Sequence, residues 1–218
     1  MSGVLIMARA PRPGMTKTRL EPLLGPAGCA RLQGLLVRHT AGWVARSTST
    51  AWLAYTPTDA RAELARLVPA SVRLLPQEAG DLGARLRSAA QLVFRRGRGP
   101  LALIGTDAPE LGAPHLSEAD RALAAGHDAS LVPTFDGGYA LIALARPIPA
   151  AFDLPPAAWG GPDVLALTVG ALQAAGHSYS LLEPVRDLDT PSDAAWIAAD
   201  PRCPPAIRRI LRERARDE

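Results

Sequence analysis

The chain has 218 residues, of which 48% are hydrophobic, and its formal net charge is +3. This apolar content excludes a disordered chain and is typical of a globular protein. The two cysteines, Cys29 and Cys203, are far apart, which excludes a disulfide framework or a zinc site built on paired cysteines. The apolar stretch at residues 4–8 is too short for a signal segment or a membrane span, so we expect a cytoplasmic protein without a membrane partner.

Most of the basic residues are arginines, and several of them cluster near the C-terminus. This cluster comprises Arg202, Arg208, Arg209, Arg212, Arg214 and Arg216. We interpret it as a solvated helix face, because no aromatic residue follows Trp196 and nucleic-acid surfaces combine basic residues with aromatic ones. We therefore expect no nucleic-acid partner. Lys17 is the one lysine among 24 basic residues, which suggests that this position needs a compact point charge.

Short apolar runs alternate with segments of helical spacing along the chain. We predict strands at 4–8, 50–55, 72–75, 100–105, 129–133, 139–145 and 179–185, and helices at 27–44, 57–67, 82–95, 116–125, 162–175 and 192–199. This alternation favours one α/β domain over residues 1–218, with a mostly parallel sheet covered on both faces. The two strands that flank the Asp136-Gly137-Gly138 turn break the alternation and predict an antiparallel pair in a mixed sheet.

Ligands of open α/β sheets bind at the carboxyl ends of the strands, so the loops that follow the predicted strands are candidates for a site. The first loop, residues 10–20, carries Arg12, Lys17 and Arg19, and these charges are suited to binding phosphate groups. Its spacing is not that of a Walker A loop. The alternative is a proline-bearing loop with solvated basic residues.

Three further loops allow two interpretations each. Asp81 either belongs to a ligand site together with Arg85 or simply caps the helix that follows. Gly137 and Gly138 either let the backbone approach a ligand closely or form a tight hairpin turn. The segment 159–163 either covers a bound base or sugar or is only a loop that begins a helix.

Carboxylates follow the fourth and the last strand. Asp107 stands directly after the most apolar strand, where an unpaired carboxylate would be costly to bury. Asp187 and Asp189 lie on one side of an extended segment and repel each other unless a cation lies between them. Because Mg²⁺ and Mn²⁺ prefer such oxygen ligands, we predict a divalent metal site at Asp107, Asp187 and Asp189. The residues that follow, Thr190 to Asp193, match a helix capping box.

Five motifs together resemble one bacterial family. They are MARAPRPGMTKTRL from Met7, GDLGAR from Gly80, GTDAP from Gly105, DGGY from Asp136 and DLDTPSD from Asp187. These motifs are similar to those of the DUF2064 group of glycosyltransferase-A-like proteins, described as nucleotide-diphospho-sugar transferases, over nearly the whole chain. The resemblance implies a Rossmann-like three-layer α/β/α sandwich with a mixed sheet and a divalent metal at Asp107. Where many such glycosyltransferases have a DxD motif, this chain has Gly105-Thr106-Asp107, which lacks the first carboxylate.

The stretch from Lys17 to Leu20 is also similar to the first loop of guanylyltransferases that load a phospho-acid onto GTP. That resemblance implies that the basic pair Lys17 and Arg19 holds a triphosphate. The candidate nucleotide-binding residues are Ala8, Arg12, Gly14, Lys17, Arg19, Gln77, Asp81, Arg85, Gly137, Gly138 and Tyr139. The candidate catalytic residues are Lys17, Arg19, Asp107 and Asp136.

Three functions are compatible with these features. The first, which we favour, is nucleotidyl transfer from a nucleoside triphosphate to a small phosphorylated acceptor, with release of pyrophosphate and a metal at Asp107. The second is glycosyl transfer from a nucleotide-sugar, in which Asp136 would activate an acceptor hydroxyl. The third is a nucleotide-binding module without catalysis. The expected partners are thus a nucleotide or nucleotide-sugar and a small-molecule acceptor, with Mg²⁺ or Mn²⁺ as the cofactor.

Overall fold

Seven strands form a single mixed sheet in the computed structural model, which describes residues 3–97 and 99–213. The strands are β1 Gly3–Arg9, β2 Ala51–Thr56, β3 Val72–Pro76, β4 Leu101–Ile104, β5 Ala129–Pro133, β6 Tyr139–Leu144 and β7 Tyr179–Leu181. Their order across the sheet is β3-β2-β1-β4-β6-β5-β7. β6 is antiparallel to both of its neighbours, and the other pairs are parallel. The predicted mixed sheet and antiparallel hairpin are therefore confirmed.

Helices cover both faces of the sheet. They are α1 Glu21–Ser47, α2 Arg61–Ala65, α3 Leu82–Arg96, α4 Ala113–Ala124, α5 Val164–Ala174, α6 Pro191–Ala199 and α7 Pro205–Arg212. α1, α2 and α4 pack on one face and α3 and α5 on the other. β1 alternates between these layers, since Val4 and Ile6 contact the first group and Leu5 the second. This is the three-layer α/β/α arrangement that the sequence predicts.

The helix boundaries differ from the predictions where glycine and proline intervene. α1 begins at Glu21 rather than residue 27, and it continues through a kink at Gly25, where φ is 65°, and Pro26. α2 spans only five residues. α6 begins with the predicted capping box, because the Thr190 side chain accepts from the Asp193 N–H and the Asp193 carboxylate accepts from the Thr190 N–H.

The arginine-rich tail is more than a solvated helix face. α7 buries Ile207, Ile210 and Leu211 in a third apolar cluster, which joins the start of α1 to α6. Arg202 pairs with Asp200 at 2.7 Å, and Arg208 donates hydrogen bonds to three backbone carbonyls. The prediction was wrong for Arg208, because the docking of α7 holds its side chain against backbone acceptors. Arg202 lies in the turn before α7 and its side chain is 69% exposed. Arg209 and Arg212 are exposed, and Arg214 and Arg216 lie outside the described residues.

The carboxyl ends of β1 and β4 lie side by side, and the chain leaves them toward opposite halves of the sheet. Such a point of divergence opens a crevice in which α/β proteins commonly bind ligands. None of the helices in residues 3–97 and 99–213 is long and apolar enough to cross a membrane.

Candidate active site

A cavity of about 590 Å³ opens at this crevice. Its size lies in the range of small-molecule sites. The loops after β1, β4, β5 and β7 contribute polar side chains, and the layer between the sheet and α3 contributes apolar ones. Eight candidate residues line it: Lys17, Arg19, Asp107, Asp136, Gly138, Tyr139, Asp187 and Asp189.

Lys17 links the first loop to two acidic loops that are distant in sequence. Its Nζ lies 2.7 Å from Asp107 Oδ1 and 3.0 Å from Asp189 Oδ1, and it donates a 2.8 Å hydrogen bond to the Leu188 carbonyl. Burial would lower the pKa of Lys17, but the charges of Asp107 and Asp189 outweigh it and raise the pKa above its ordinary value. The Leu188 N–H also donates a hydrogen bond to the Asp107 carbonyl. The loops after β4 and β7 are therefore connected both through Lys17 and by this backbone hydrogen bond.

A second carboxylate pair lies in the same cavity. The carboxyl groups of Asp136 and Asp187 lie close enough to shift each other's pKa. Burial raises the pKa of Asp187 to about 7, and the charges of Asp136 and Asp189 add to the rise. Burial would also raise the pKa of Asp136, but hydrogen bonds from Thr134 Oγ1 and the Gly138 N–H outweigh it and lower the pKa. The pair therefore gains or loses one proton near neutral pH, and Asp187 holds it.

The three predicted metal ligands fall into two groups. Asp107 and Asp189 share Lys17, whereas Asp187 pairs with Asp136. Within residues 3–97 and 99–213, no group of three or more His, Cys, Asp or Glu side chains is arranged to hold a metal ion. The donors still fit Mg²⁺ or Mn²⁺, which proteins often hold with one or two carboxylates while substrate phosphates complete the shell.

Several candidate nucleotide-binding residues do not line the cavity. Arg12 instead forms salt bridges with Asp59 at 3.1 Å and Glu63 at 2.6 Å, which raise its pKa. Ala8 is a buried core residue on β1, and Gly14 supplies a positive φ of 70° to an exposed turn.

The other residues outside the cavity have structural contacts as well. The Gln77 amide donates to the Ala8 and Ala54 carbonyls, and its Oε1 accepts from Arg85. Asp81 caps α3, because its carboxylate accepts a hydrogen bond from the Ala84 N–H. Of the two interpretations of Asp81, the helix cap is the one that describes this contact. Gly137 has a φ of 92°, and a side chain there would collide with the Pro162 carbonyl.

Sequence reasoning missed much of the cavity wall. The missed polar residues are Arg9, Thr16, Thr18, Gln33, Thr106 and Thr134, and the missed apolar ones include Met7, Leu82, Leu86, Leu103, Ile142 and Val164. Gln33 of α1 donates to the Arg9 carbonyl and to Thr106 Oγ1, which ties α1 to the ends of β1 and β4. The apolar residues carry no signal of their own, because a strand residue beside a cavity has the same pattern as one in the core.

Trp159 closes the apolar end of the cavity, together with Gly160 and Gly161. Its indole lies directly against Gly83 of α3: a Cβ at Gly83 would stand 2.6 Å from both Trp159 Nε1 and the Phe152 carbonyl oxygen. The interpretation of segment 159–163 as a cover is consistent with this placement.

A family model matches residues 40–160, more than half of the chain. Its description is "uncharacterized protein conserved in bacteria" (DUF2064). The chain belongs to the DUF2064 family. No curated protein matches the sequence.

Solved structures relate this DUF2064 protein to nucleotide-using transferases. A Desulfovibrio desulfuricans G20 protein, provisionally assigned as a nucleotide-diphospho-sugar transferase, is 28% identical with a TM-score of 0.85, and the match covers 97% of this chain and 95% of that one. CMP:2-keto-3-deoxy-manno-octonic acid synthetase, solved with CTP, is 11% identical with a TM-score of 0.54 over 90% and 97%. A cytidylyltransferase from Leptospira borgpetersenii is 16% identical with a TM-score of 0.58 over 90% and 85%. The last two show a shared fold only.

Proposed function

We propose that the protein transfers a glycosyl group from a nucleoside-diphosphate sugar to a neutral hydroxyl acceptor. The observation that carries this proposal is that the cavity holds a carboxylate pair, Asp136 and Asp187, apart from the salt bridges of Lys17 to Asp107 and Asp189. All cationic side chains that line it, Arg9, Lys17 and Arg19, come from β1 and the loop after it. The carboxylates come from the loops after β4, β5 and β7. A phosphate group would thus bind beside Lys17 and Arg19, and an uncharged nucleophile beside Asp136 and Asp187.

The first loop offers side-chain charge to a phosphate group and few free backbone N–H groups. Nucleotide phosphates are often held by several consecutive backbone N–H groups. Here Pro11 and Pro13 have no N–H, and the N–H groups of Arg12 and Met15 bond to carbonyls within the loop. Lys17 and Arg19 then provide the charge for phosphate binding. Glycosyl transfer is preferred to nucleotidyl transfer, which the sequence favours, because Asp136 and Asp187 in the cavity would repel a phosphorylated acceptor.

A divalent cation is expected to accompany the nucleotide. The cavity wall holds three cationic side chains and four aspartates, one of which, Asp187, has a pKa of about 7, so the wall has no net positive charge to neutralise a diphosphate. Asp107 and Asp189 would hold Mg²⁺ or Mn²⁺, because their side chains are 50% and 39% exposed and face a common cation. When bound, the metal would stabilise the negative charge that develops on the departing diphosphate.

The Asp136–Asp187 pair is the candidate base. In the proposed reaction, the bond between the anomeric carbon and the diphosphate oxygen breaks, and the acceptor oxygen bonds to that carbon. The acceptor proton passes to the carboxylate pair, which lines the cavity. A phosphorylated acceptor would be repelled by the same two carboxylates.

Nucleotidyl transfer is the second candidate. It is favoured by the placement of Lys17 and Arg19 together in the cavity, as the guanylyltransferase-like loop predicts, and by the fold shared with cytidylyltransferases. The two reactions differ in their products, since nucleotidyl transfer releases pyrophosphate and glycosyl transfer releases a nucleoside diphosphate.

A thermal-shift panel with nucleotide-sugars and nucleoside triphosphates, each with and without Mn²⁺, tests the proposal first. A ligand at about 100 times its Kd should stabilise the protein by about 2.7 kcal/mol. The ligand found is then assayed with hydroxyl acceptors for release of nucleoside diphosphate and, in parallel, of pyrophosphate. Release of pyrophosphate would show that the reaction is nucleotidyl transfer and would contradict glycosyl transfer. Binding of the ligand without turnover would indicate a nucleotide-binding module without catalysis.

The Asp107→Asn variant tests the metal site. It should abolish metal-dependent nucleotide binding while leaving the fold intact. Asp59→Asn is the matched control, because Asp59 pairs with Arg12 outside the cavity and its side chain is 71% exposed. Metal-dependent binding that persists in Asp107→Asn would contradict the assignment of the metal to Asp107.

A further inference from the structure

Lys17 sits where its carboxylate partners would meet a metal ion. Its ammonium is enclosed by one oxygen each of Asp107, Asp189 and Leu188, at 2.7, 3.0 and 2.8 Å. The Lys17 side chain is 5% exposed, whereas the two carboxylates are about half exposed to the cavity. The position between the two aspartates is thus filled by a cation that belongs to the chain itself.

We propose that Lys17 is a resident cation of this site. Its ammonium holds the place between Asp107 and Asp189 that a divalent ion would take, and the diphosphate of an incoming nucleotide draws it away. This inference rests on the proposed function, because it takes the ligand to be a metal-bound nucleoside diphosphate.

Charge is the reason that the two cations exclude each other. An ammonium and a divalent ion cannot both lie within about 3 Å of the same two carboxylate oxygens without strong repulsion. Lysine can give way because its charge is a point on a flexible four-carbon stem. Phosphate oxygens offer it charge-assisted hydrogen bonds equivalent to those it leaves.

The backbone at Lys17 supports a functional role. Its φ of 52° and ψ of 34° are left-handed, and it is the one non-glycine residue with positive φ among residues 3–97 and 99–213. Left-handed backbone is unfavourable for a residue with a side chain, and such outliers cluster at ligand clamps and switch regions.

The inference predicts a particular order of affinities. Without nucleotide, a divalent ion has to compete with Lys17 and binds weakly. With nucleotide, Lys17 moves to the phosphate groups and the ion binds the carboxylates, so that each ligand strengthens the binding of the other by the same factor.

The test is Mn²⁺ binding without nucleotide, measured from the electron paramagnetic resonance signal of the free ion. Lys17→Met removes the charge and keeps the chain length, and we expect its Kd for Mn²⁺ to be about 10-fold lower than that of the native protein, within the usual range of coupling between sites. Arg31→Met is the matched control: Arg31 on α1 is 64% exposed and pairs with Glu213, and its loss should leave the Kd unchanged. The double variant Lys17→Met/Asp107→Asn should not show the increase in Mn²⁺ affinity that Lys17→Met shows alone.

Two further variants keep the test independent of folding. Lys17→Gln is a second neutral replacement if Lys17→Met does not fold, and Lys17→Arg retains the charge and should not tighten Mn²⁺ binding. The inference is overturned if a folded, neutral Lys17 variant binds Mn²⁺ no more tightly than the native protein.

The same variants are then titrated with UDP, GDP, CDP and ADP in the presence of Mn²⁺. Lys17→Met should bind the matching nucleotide about 10-fold more weakly, because the phosphate groups lose their lysine. If no nucleotide binds the native protein while Lys17→Met still binds Mn²⁺ more tightly, the proposed function is wrong. The inference that Lys17 competes with the metal ion would still hold.

Discussion

Gly83→Ala tests the packing that closes the apolar end of the cavity. Gly83 is buried in the first turn of α3, with the Phe152 carbonyl oxygen and Trp159 Nε1 each 2.6 Å from the position of an added Cβ. Contacts this short require the 159–161 loop or the turn at Pro149–Phe152 to shift. Overpacking of this kind costs about 1–3 kcal/mol, and the better helix propensity of alanine returns at most about 1 kcal/mol. We expect a net loss of up to about 2 kcal/mol in the free energy of unfolding, and no gain.

Gly170→Ala is the matched control for this prediction. Gly170 is exposed in the interior of α5, and nothing lies within 4 Å of an added Cβ. The same substitution should therefore stabilise the protein there by about 1 kcal/mol. Urea unfolding measures both variants against the native protein. If Gly83→Ala is as stable as Gly170→Ala, Trp159 does not pack against α3 as described.

Two further predictions concern stability away from the cavity. Thr190→Ala removes the acceptor for the Asp193 N–H at the start of α6 and should lower the free energy of unfolding by about 1 kcal/mol in urea. The second concerns acid: the Ser178 N–H and then Arg146 lower the pKa of Asp128 from 3.8 to about 2, so its stabilisation is full above pH ~4 and is lost as the pH falls through 2. The Tm difference between the native protein and Asp128→Asn should therefore shrink between pH ~5 and ~2, and a constant difference would exclude this linkage.

The architecture could be predicted because it depends on local patterns. The apolar runs that became β1 and β4 carry no polar residue, as expected for strands buried on both faces. The Asp136-Gly137-Gly138 turn indicated the antiparallel pair β5 and β6. The end of the last strand was less regular than the pattern suggested: it stops at Leu181, and a single bridge between Thr134 and Val185 continues it.

The site could be predicted only in part. The rule that ligands bind at the carboxyl ends of strands selected the loops after β1, β4, β5 and β7, which line the cavity, and also the loop after β3, whose Gln77 and Asp81 do not. The rule does not say which way a side chain turns. Arg12 turns to Asp59 and Glu63 because α2 places two carboxylates on the outer side of the loop. The Gln77 amide donates hydrogen bonds to carbonyls of β1 and β2. Contacts between residues so far apart in the chain cannot be predicted from a single sequence.

Lys17 shows how composition and geometry explain each other. A chain that uses arginine at 23 of its 24 basic positions has lysine where three acceptors surround one nitrogen. An ammonium can direct its three donors to Asp107, Asp189 and the Leu188 carbonyl at once, whereas a planar guanidinium spreads its donors over a fork. Only the ammonium also concentrates its charge at a point, as a metal ion does. The same geometry that favours lysine over arginine at position 17 is therefore the geometry that sets Lys17 in competition with a divalent ion.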